Sequence, residues 1–223
     1  MVSVNYIWLC AKRPEQPNQS YATQLPLHNF KRMYANAERY SGTEFNLWLD
    51  FRQLTLSDHF FLDSQRHFLN VHNIEIRNLC EIPDYKTDKG FEPDTNTTIY
   101  ARADYARVLV LSFLHQLRPE RTSIYSDLDC EDIMIADSRV QDTLEQYGIA
   151  YGIWNDRICN GFIGVKGPTG LQFLTDYLLP KTKMAFQRNR VNHFGAFAEA
   201  VKAFRRSTCP DQRLTSLGVV DLP

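Results

Sequence analysis

Asp127 and Asp129 are the residues of this sequence most suited to chemistry, because they place two carboxylates two positions apart. They follow residues 123–125, which predict a short strand, and side chains at i and i+2 point the same way from an extended backbone. Ligands of open α/β sheets bind beyond the carboxyl ends of such strands. Carboxylate oxygens suit Mn²⁺ or Mg²⁺, and an ion held there would stabilise the charge of a departing phosphate group. The pair alone also fits a solvated turn that caps the next segment.

A second pair of charged residues lies upstream, in residues 98–117, which predict the strongest helix of the chain. Asp104 and Arg107 are three positions apart, so they share one face of that helix. A carboxylate and a guanidinium in a cleft can recognise hydroxyl and phosphate groups through paired hydrogen bonds. The same spacing describes an ordinary ion pair on a helix surface, and the two residues alone leave both interpretations open.

Strands and helices alternate around these residues. The periodicity predicts strands at 4–9, 45–49, 71–76, 123–125, 148–154 and 161–165, and helices at 27–40, 56–69, 98–117, 169–179 and 194–205. A polar stretch at 80–97 predicts a long loop, and the tail from 218 onward has no regular pattern. This succession indicates an α/β fold with one open, mainly parallel sheet flanked by helices. The 223 residues suit a single domain, which we expect to span 1–223.

The composition excludes several classes of protein. Twenty-five basic and twenty-six acidic residues give a net charge of −1, which argues against a nucleic-acid partner, since that needs a clustered basic excess. The five cysteines are scattered and form no CxxC pair, so they indicate neither a disulfide framework nor a zinc site. No apolar stretch has the length of a membrane span, and the N-terminus lacks a signal-peptide pattern. We therefore expect a cytoplasmic location.

Two segments carry a family resemblance. Residues 101–107, Ala-Arg-Ala-Asp-Tyr-Ala-Arg, and residues 124–129, Ile-Tyr-Ser-Asp-Leu-Asp, resemble the pattern A-x-x-S-D-x-x-R … G-I-Y-x-D-x-D. That pattern is typical of glycosyltransferases with an Asp-x-Asp sugar-binding region, which include clostridial glucosylating toxins and Golgi mannosyl- and galactosyltransferases. Residues 5–9 resemble their opening strand, and residues 159–165 resemble a later strand segment. The resemblance runs from residue 4 to about residue 180 and implies the GT-A fold, a single Rossmann-like sheet.

The resemblance also implies roles for individual residues. Asp104 matches an acid that bonds a hydroxyl of the donor sugar, and Arg107 matches an arginine that bonds the sugar or the diphosphate. Asn160 matches an asparagine that faces the acceptor. Trp8 matches a tryptophan that stacks on the nucleobase, and Tyr125 matches a position that packs beside the sugar. For Trp8 and Tyr125, burial in the core is an equal interpretation.

Position in the chain, and not the family pattern, singles out two further residues. Asp50 follows the second predicted strand, where it either contacts the nucleotide or caps the strand. His193 precedes a predicted helix, whose N-terminus favours an anion. It either holds diphosphate, ligates the metal with Asp127 and Asp129, or is structural. The basic stretch at 181–190 fits a lid over diphosphate or a solvated face.

One hypothesis and two alternatives follow. The hypothesis is a retaining glycosyltransferase that uses Mn²⁺ or Mg²⁺ and transfers a sugar from a nucleotide-sugar donor to a glycan or protein acceptor. A UDP-sugar is the first candidate donor. The alternatives are a nucleotide-sugar-binding protein without catalysis and a metal-dependent phosphohydrolase. The expected partners are the donor and the acceptor, and we expect neither a nucleic-acid partner nor a membrane span. The family resemblance adds a second possible location beside the cytoplasm, secretion into a host cell as an effector.

Overall fold

A computed structural model describes residues 1–9, 27–92, 95, 97–130, 132–133, 135–154, 157–188, 193–208 and 219–221. Within these residues, seven strands form one mixed sheet. They are β1 (Val2–Trp8), β2 (Glu44–Leu49), β3 (Ile74–Asn78), β4 (Thr122–Ser126), β5 (Ile149–Trp154), β6 (Arg157–Val165) and β7 (Val219–Asp221).

Helices connect and cover the strands, and local sequence fixes where several of them begin. The Thr55 side chain accepts from the backbone N–H of Asp58 in a capping box, and the Thr98 side chain caps the longest helix. The helices are α1 (Leu27–Arg39), α2 (Leu56–Val71), α3 (Pro83–Thr87), α4 (Ile99–Leu117), α5 (Ser138–Tyr147), α6 (Gly167–Gln172), α7 (Leu179–Gln187) and α8 (His193–Thr208). A π-helical turn at Phe173–Leu178 joins α6 to α7.

The strand order is β3-β2-β1-β4-β6-β5-β7. The strand β1 pairs in parallel with β2 and β4, and β2 pairs in parallel with β3. The strand β6 runs antiparallel to β4 and β5, while β7 is parallel to β5. The predicted mainly parallel sheet flanked by helices is therefore confirmed. Because β1, β2 and β4 run the same way, their carboxyl ends lie at one edge, where ligands bind in such folds.

Two apolar layers pack on the two faces of the sheet. One layer includes residues of α4, α7 and α8, and the other includes residues of α1, α2 and α5. In β2, Phe45 and Leu47 belong to the second layer and Trp48 to the first, as the alternation of side chains in a strand requires. No helix within the described ranges is both long and apolar enough to cross a membrane.

The predicted strand at 71–76 and the tail differ from the expectation. Val71 is the last residue of α2, and the strand begins only at Ile74. Asn73 between them has φ = 54°, so the backbone turns sharply there. In the tail, Val219–Asp221 pairs with β5, a contact that no local periodicity could indicate.

The predicted loop at 80–97 was also wrong, because it contains α3 and a 3₁₀ helix at Lys89–Phe91. Tyr85 and Phe91 are completely buried, and their ring centroids lie 4.0 Å apart. The burial of these two aromatic side chains holds the segment against the core. The residues directly before and after each of them are polar or glycine, so the sequence shows no apolar pattern there.

Candidate active site

Asp127 lies where the backbone leaves β4. Its backbone N–H donates to the carbonyl oxygen of Gly161 on β6 at 2.8 Å, so the bond continues the β4–β6 pairing. The hydroxyl of Tyr125 donates to Asp127 Oδ1 at 2.5 Å. The Asp127 side chain nevertheless remains 38% exposed. The carboxylate is therefore oriented by the protein and still open to a ligand.

Arg107, on α4, joins Asp127 to two further residues. Its Nη1 donates to the carbonyl oxygen of Asn160 at 2.6 Å and lies 3.7 Å from Asp127 Oδ1. Its Nη2 lies 3.0 Å from Asp104 Oδ1, and Asn160 Nδ2 donates to the same oxygen at 2.8 Å. The side chains of Arg107 and Asp104 are 8% and 13% exposed, so they do not form an ordinary surface ion pair.

Burial and neighbouring charges set the protonation of this network. Burial disfavours the Arg107 cation, but Tyr125, Asp127 and Asp104 outweigh that effect and raise the pKa of the guanidinium. The guanidinium carbon also lies 4.6 Å from the centroid of the Tyr125 ring. Burial raises the pKa of Tyr125 well above its ordinary value, so the phenol remains a neutral donor. One buried cation thus stands between two carboxylates.

Gly161 is a residue of the site whose role the sequence alone did not reveal. A Cβ atom at this position would lie 2.7 Å from Asp127 Oδ2, a distance that forces one of the two groups to move. Glycine therefore leaves the space that the carboxylate occupies. The available signal was a glycine within an apolar strand pattern, which often marks a close approach of another group.

Helix α1 and the residue after it hold the segment that follows Asp127. Asp129 is exposed, and its carbonyl oxygen accepts from Arg32 Nη1 at 3.0 Å. Further along, Asp132 accepts from Arg39 and, at 2.5 Å, from the hydroxyl of Tyr40. Sequence reasoning missed these contacts because Arg32 and Asp129 are 97 positions apart.

The chemistry of the Asp127 and Asp129 side chains fits a divalent ion with oxygen ligands. Both carboxylates reach the surface at the same edge of the sheet. Among the residues that the structure describes, no group of three or more His, Cys, Asp or Glu side chains is placed to hold an ion. Two carboxylates would leave coordination positions of the ion open for phosphate oxygens and water. Mg²⁺ usually keeps several water ligands.

Two other predicted residues have less defined surroundings. Trp8 ends β1, next to β4, and is half-buried. Its Nε1 is buried and has no hydrogen-bond partner in the described part of the chain. His193 begins α8, but its side chain lies outside the described residues. In the basic stretch, Lys181 lies 3.8 Å from Glu199, and residues 189–190 lie outside the described ranges.

Asp50 does not lie open to a nucleotide. Its side chain is completely buried, and it accepts hydrogen bonds from Arg52, Gln53 and Tyr85. It also caps the 3₁₀ helix at Phe51–Gln53. Of the two interpretations left open by the sequence, the structure favours the cap, because no part of the carboxylate reaches solvent.

Comparison with known proteins bears on the fold. Neither a protein-family model nor a curated protein matches the sequence. A solved structure described as PaToxG glycosyltransferase is similar with a TM-score of 0.53 and 13% identity, over 93% of this chain and 68% of that chain. Another, described as a transferase mutant, has a TM-score of 0.48 and 16% identity, over 95% and 87% of the two chains. The chain therefore has the α/β fold of a glycosyltransferase of known structure.

Proposed function

We propose that this chain is a metal-dependent glycosyltransferase of the GT-A type, which transfers a sugar from a nucleotide-sugar donor to a glycan or protein acceptor. The observation that carries the proposal is the network of Asp104, Arg107, Tyr125 and Asn160 around Asp127. The buried cation of Arg107 and the neutral hydroxyl of Tyr125 hold the Asp127 carboxylate at the carboxyl edge of the sheet, where it stays partly exposed, while the Asn160 amide donates to Asp104. The similarity of the fold to a glycosyltransferase supports the same reaction class.

Asp127 and Asp129 are the residues that would hold Mn²⁺ or Mg²⁺. Such an ion, when bound, neutralises negative charge that a nucleoside diphosphate gains as the bond to the sugar breaks. Arg32, which bonds the carbonyl of Asp129, and the Asp132 contacts with Arg39 and Tyr40 fix the course of the backbone at that carboxylate. The exposed side chain of Asp129 can then meet a ligand without reorganisation of the segment.

The remaining residues divide into donor contacts and positioning residues. Asp104 accepts from Asn160 and Arg107 through one oxygen, and it is the candidate acceptor for a sugar hydroxyl. The Arg107 side chain is almost completely buried, and it contacts the carboxylates of Asp104 and Asp127 and the carbonyl oxygen of Asn160. We therefore assign it a positioning role and an electrostatic contribution near the diphosphate. Trp8 is the candidate for stacking on the nucleobase of the donor, and uracil, the base of a UDP-sugar, is the first candidate.

We further propose, from the resemblance of residues 101–107 and 124–129 to the Asp-x-Asp glycosyltransferases, that the sugar is transferred with retention of the anomeric configuration. The carboxylates of the described site, Asp104, Asp127 and Asp129, already serve hydrogen bonding or metal binding in this scheme. A double displacement would need one of them as nucleophile beneath the sugar. We therefore favour attack on the face from which the diphosphate leaves, with the leaving group assisting deprotonation of the acceptor.

The test is a screen of UDP- and GDP-sugars for hydrolysis with Mn²⁺ or Mg²⁺. We expect one donor class to be hydrolysed, with loss of activity in excess EDTA and in Asp129→Ala, and normal activity in Asp142→Asn on the exposed face of α5. Proton NMR of the first product from an α-linked donor should show the α anomer. Donor binding by calorimetry without turnover would favour the non-catalytic alternative, and direct release of inorganic phosphate would favour the phosphohydrolase.

A further inference from the structure

A cavity of about 150 Å³ lies between the sheet and the C-terminal end of α4. The sheet contributes Ser3 of β1, Asn46 of β2 and Ser123 of β4 to its wall, and the helix contributes Leu114 and Leu117. These sheet residues lie in the amino-terminal halves of their strands. The cavity is therefore at the edge of the sheet opposite the carboxyl edge that carries the candidate active site.

The sheet wall of the cavity belongs to a buried polar layer whose hydrogen bonds have a fixed direction. The indole N–H of Trp48, which can only donate, bonds Asn5 Oδ1 at 3.0 Å. The amide nitrogen of Asn46 donates to the same Asn5 oxygen and to Ser3 Oγ, each at 3.2 Å. The amide nitrogen of Asn5 also donates to Ser3 Oγ at 3.2 Å. The Ser3 oxygen thus accepts two hydrogen bonds, and its own proton is left to be donated.

Three polar groups on this wall keep hydrogen-bonding capacity that no described residue uses. They are the hydroxyl proton of Ser3, the side-chain oxygen of Asn46 and the whole hydroxyl of Ser123, whose side chain makes no hydrogen bond to the described residues. The three residues are only 5%, 4% and 2% exposed. Because a buried polar group without a partner is costly, a molecule in the cavity that both donates and accepts would be stabilised there.

The helix wall of the cavity has the opposite character. Leu114 is partly buried against the core, while Leu117 is 60% exposed at the mouth. A ligand that matches both walls has an apolar face and hydroxyl groups at its edge, and a pyranose ring has this form. The volume admits one six-membered ring, since an engineered cavity of about 150 Å³ in another protein holds benzene.

The charges around the mouth of the cavity favour a neutral ligand, because they balance. Glu44 pairs with Arg121 at 2.8 Å and with Arg118 at 3.4 Å. Glu75 adds a second carboxylate to the mouth. Arg77 is already paired at 2.7 Å with the glutamate four positions further along the chain. An anion would meet the two carboxylates and a cation would meet the arginines, whereas hydroxyl groups can bond to both kinds of charged group.

We propose that this cavity binds one sugar ring of a glycan, at a site separate from the candidate active site. The hydroxyl groups of the ring would bond to Ser3, Asn46 and Ser123, and its C–H face would cover Leu114 and Leu117. The Kd for a single ring is on the order of millimolar. The site goes beyond the proposed transfer reaction, because it needs neither a nucleotide nor a metal ion, and it would hold a glycan away from the reacting sugar.

A titration of the ¹⁵N-labelled full chain with glucose, galactose, mannose or N-acetylglucosamine, without donor or metal, tests this site. We expect at least one of these sugars to shift the backbone amide signals of Leu117 and Ser123 with a Kd on the order of millimolar. The signals of Asp127 and Gly161, at the other edge of the sheet, should not move.

Ser123→Ala should weaken this binding about three- to tenfold, because it removes one hydroxyl partner of the sugar. Ser112→Ala is the matched control and should leave the affinity unchanged. Ser112 is also buried, at 5% exposure, and its hydroxyl has no hydrogen-bond partner in the described part of the chain, but the residue does not line the cavity. Neither substitution removes a hydrogen bond that the described residues make, so both variants should fold.

The proposal is overturned if none of the four sugars shifts the cavity signals up to about 50 mM, or if the two serine variants bind equally well. Shifts confined to Asp127 and Gly161 would also overturn it, since they assign the sugar to the candidate active site. Stronger shifts of the cavity signals with inorganic phosphate would assign the cavity to an anion instead. Hydrolysis of the donor by Ser123→Ala reports separately on the proposed transferase, because the cavity holds none of its residues.

Discussion

Asp50 and Asp127 occupy equivalent places in the sheet and have different surroundings. Each directly follows a strand that is parallel to β1, Asp50 after β2 and Asp127 after β4. Asp50 is completely buried and accepts hydrogen bonds at both oxygens, from the guanidinium of Arg52, the amide of Gln53 and the hydroxyl of Tyr85. Asp127 accepts from one side-chain hydroxyl, that of Tyr125, and remains 38% exposed.

The difference shows that the end of a strand offers a place for a carboxylate without deciding its use. An ionised carboxylate has about four acceptor positions. When the protein fills them, as it does for Asp50, the group is a structural centre. When the protein fills only some of these acceptor positions and leaves the others exposed, as for Asp127, the carboxylate can still bind a cation or accept a hydrogen bond from a substrate hydroxyl.

Substitution of Asp127 should give the largest effect on activity. Asp127→Asn keeps the shape of the side chain but removes the charge that would hold the metal, so we expect donor turnover to fall by about 10³ or more. The melting temperature should stay within about 2 °C of the unmodified chain, because the side chain is partly exposed. Initial rates with saturating Mn²⁺ and a thermal melt measure both. Undiminished turnover would remove Asp127 from the catalytic centre.

Substitution of Asp50 should reverse this pattern. Asp50→Ala leaves the buried hydroxyl of Tyr85 and the amide of Gln53 without their acceptor, while Arg52 can reach water. We expect a loss of about 3 kcal/mol in the free energy of unfolding, or roughly 6–12 °C in melting temperature. Turnover per folded molecule should be unchanged. Urea denaturation and rates measured well below the transition separate the two quantities, and a stable but inactive variant would return Asp50 to the donor site.

Local patterns predicted those parts of the molecule that depend on near neighbours. The periodicity predicted α4 and the strand before Asp127. The pairs Asp104 with Arg107 and Asp127 with Asp129 could be recognised because their members are only three and two positions apart. The distinction between Asp50 and Asp127 depends on Tyr85, 35 positions after Asp50, and on Gly161 opposite Asp127. Similarly, α3 depends on aromatic burial and β7 on pairing with β5. Such long-range contacts leave no periodic trace in a single sequence.

Gly161→Ala tests how closely the space around Asp127 is defined. The added methyl group would lie 2.7 Å from Asp127 Oδ2, so the carboxylate must move away from its position. We expect turnover to fall by about 10- to 100-fold, with a loss of stability of about 1 kcal/mol. Gly164→Ala on the same strand is the control, since its methyl group would lie 3.2 Å from the flexible end of Leu144 and 3.6 Å from the Cβ of Ala150, an ordinary contact. Equal activity of the two variants would mean that the Asp127 position is not critical.

A matched pair of tyrosine substitutions should give the smallest and most specific effects. Tyr85 donates its hydroxyl to Asp50 at 3.1 Å and Tyr125 donates its hydroxyl to Asp127 at 2.5 Å, so Tyr85→Phe and Tyr125→Phe each remove one donor from one aspartate. Tyr85→Phe should lower the free energy of unfolding by about 1–2 kcal/mol, because Asp50 is completely buried and water cannot replace the lost donor. Turnover should be unchanged.

Tyr125→Phe should instead lower turnover by about 3- to 10-fold and change stability by less than about 1 kcal/mol, since solvent can replace the lost donor at the exposed carboxylate. The loss should appear in kcat, and in a higher Mn²⁺ concentration for half-maximal rate, because the hydroxyl orients the oxygens that would meet the ion. If both variants lose stability and neither loses turnover, Asp127 belongs with Asp50 as a structural carboxylate. The network around Arg107 would then be part of the core and not of an active site.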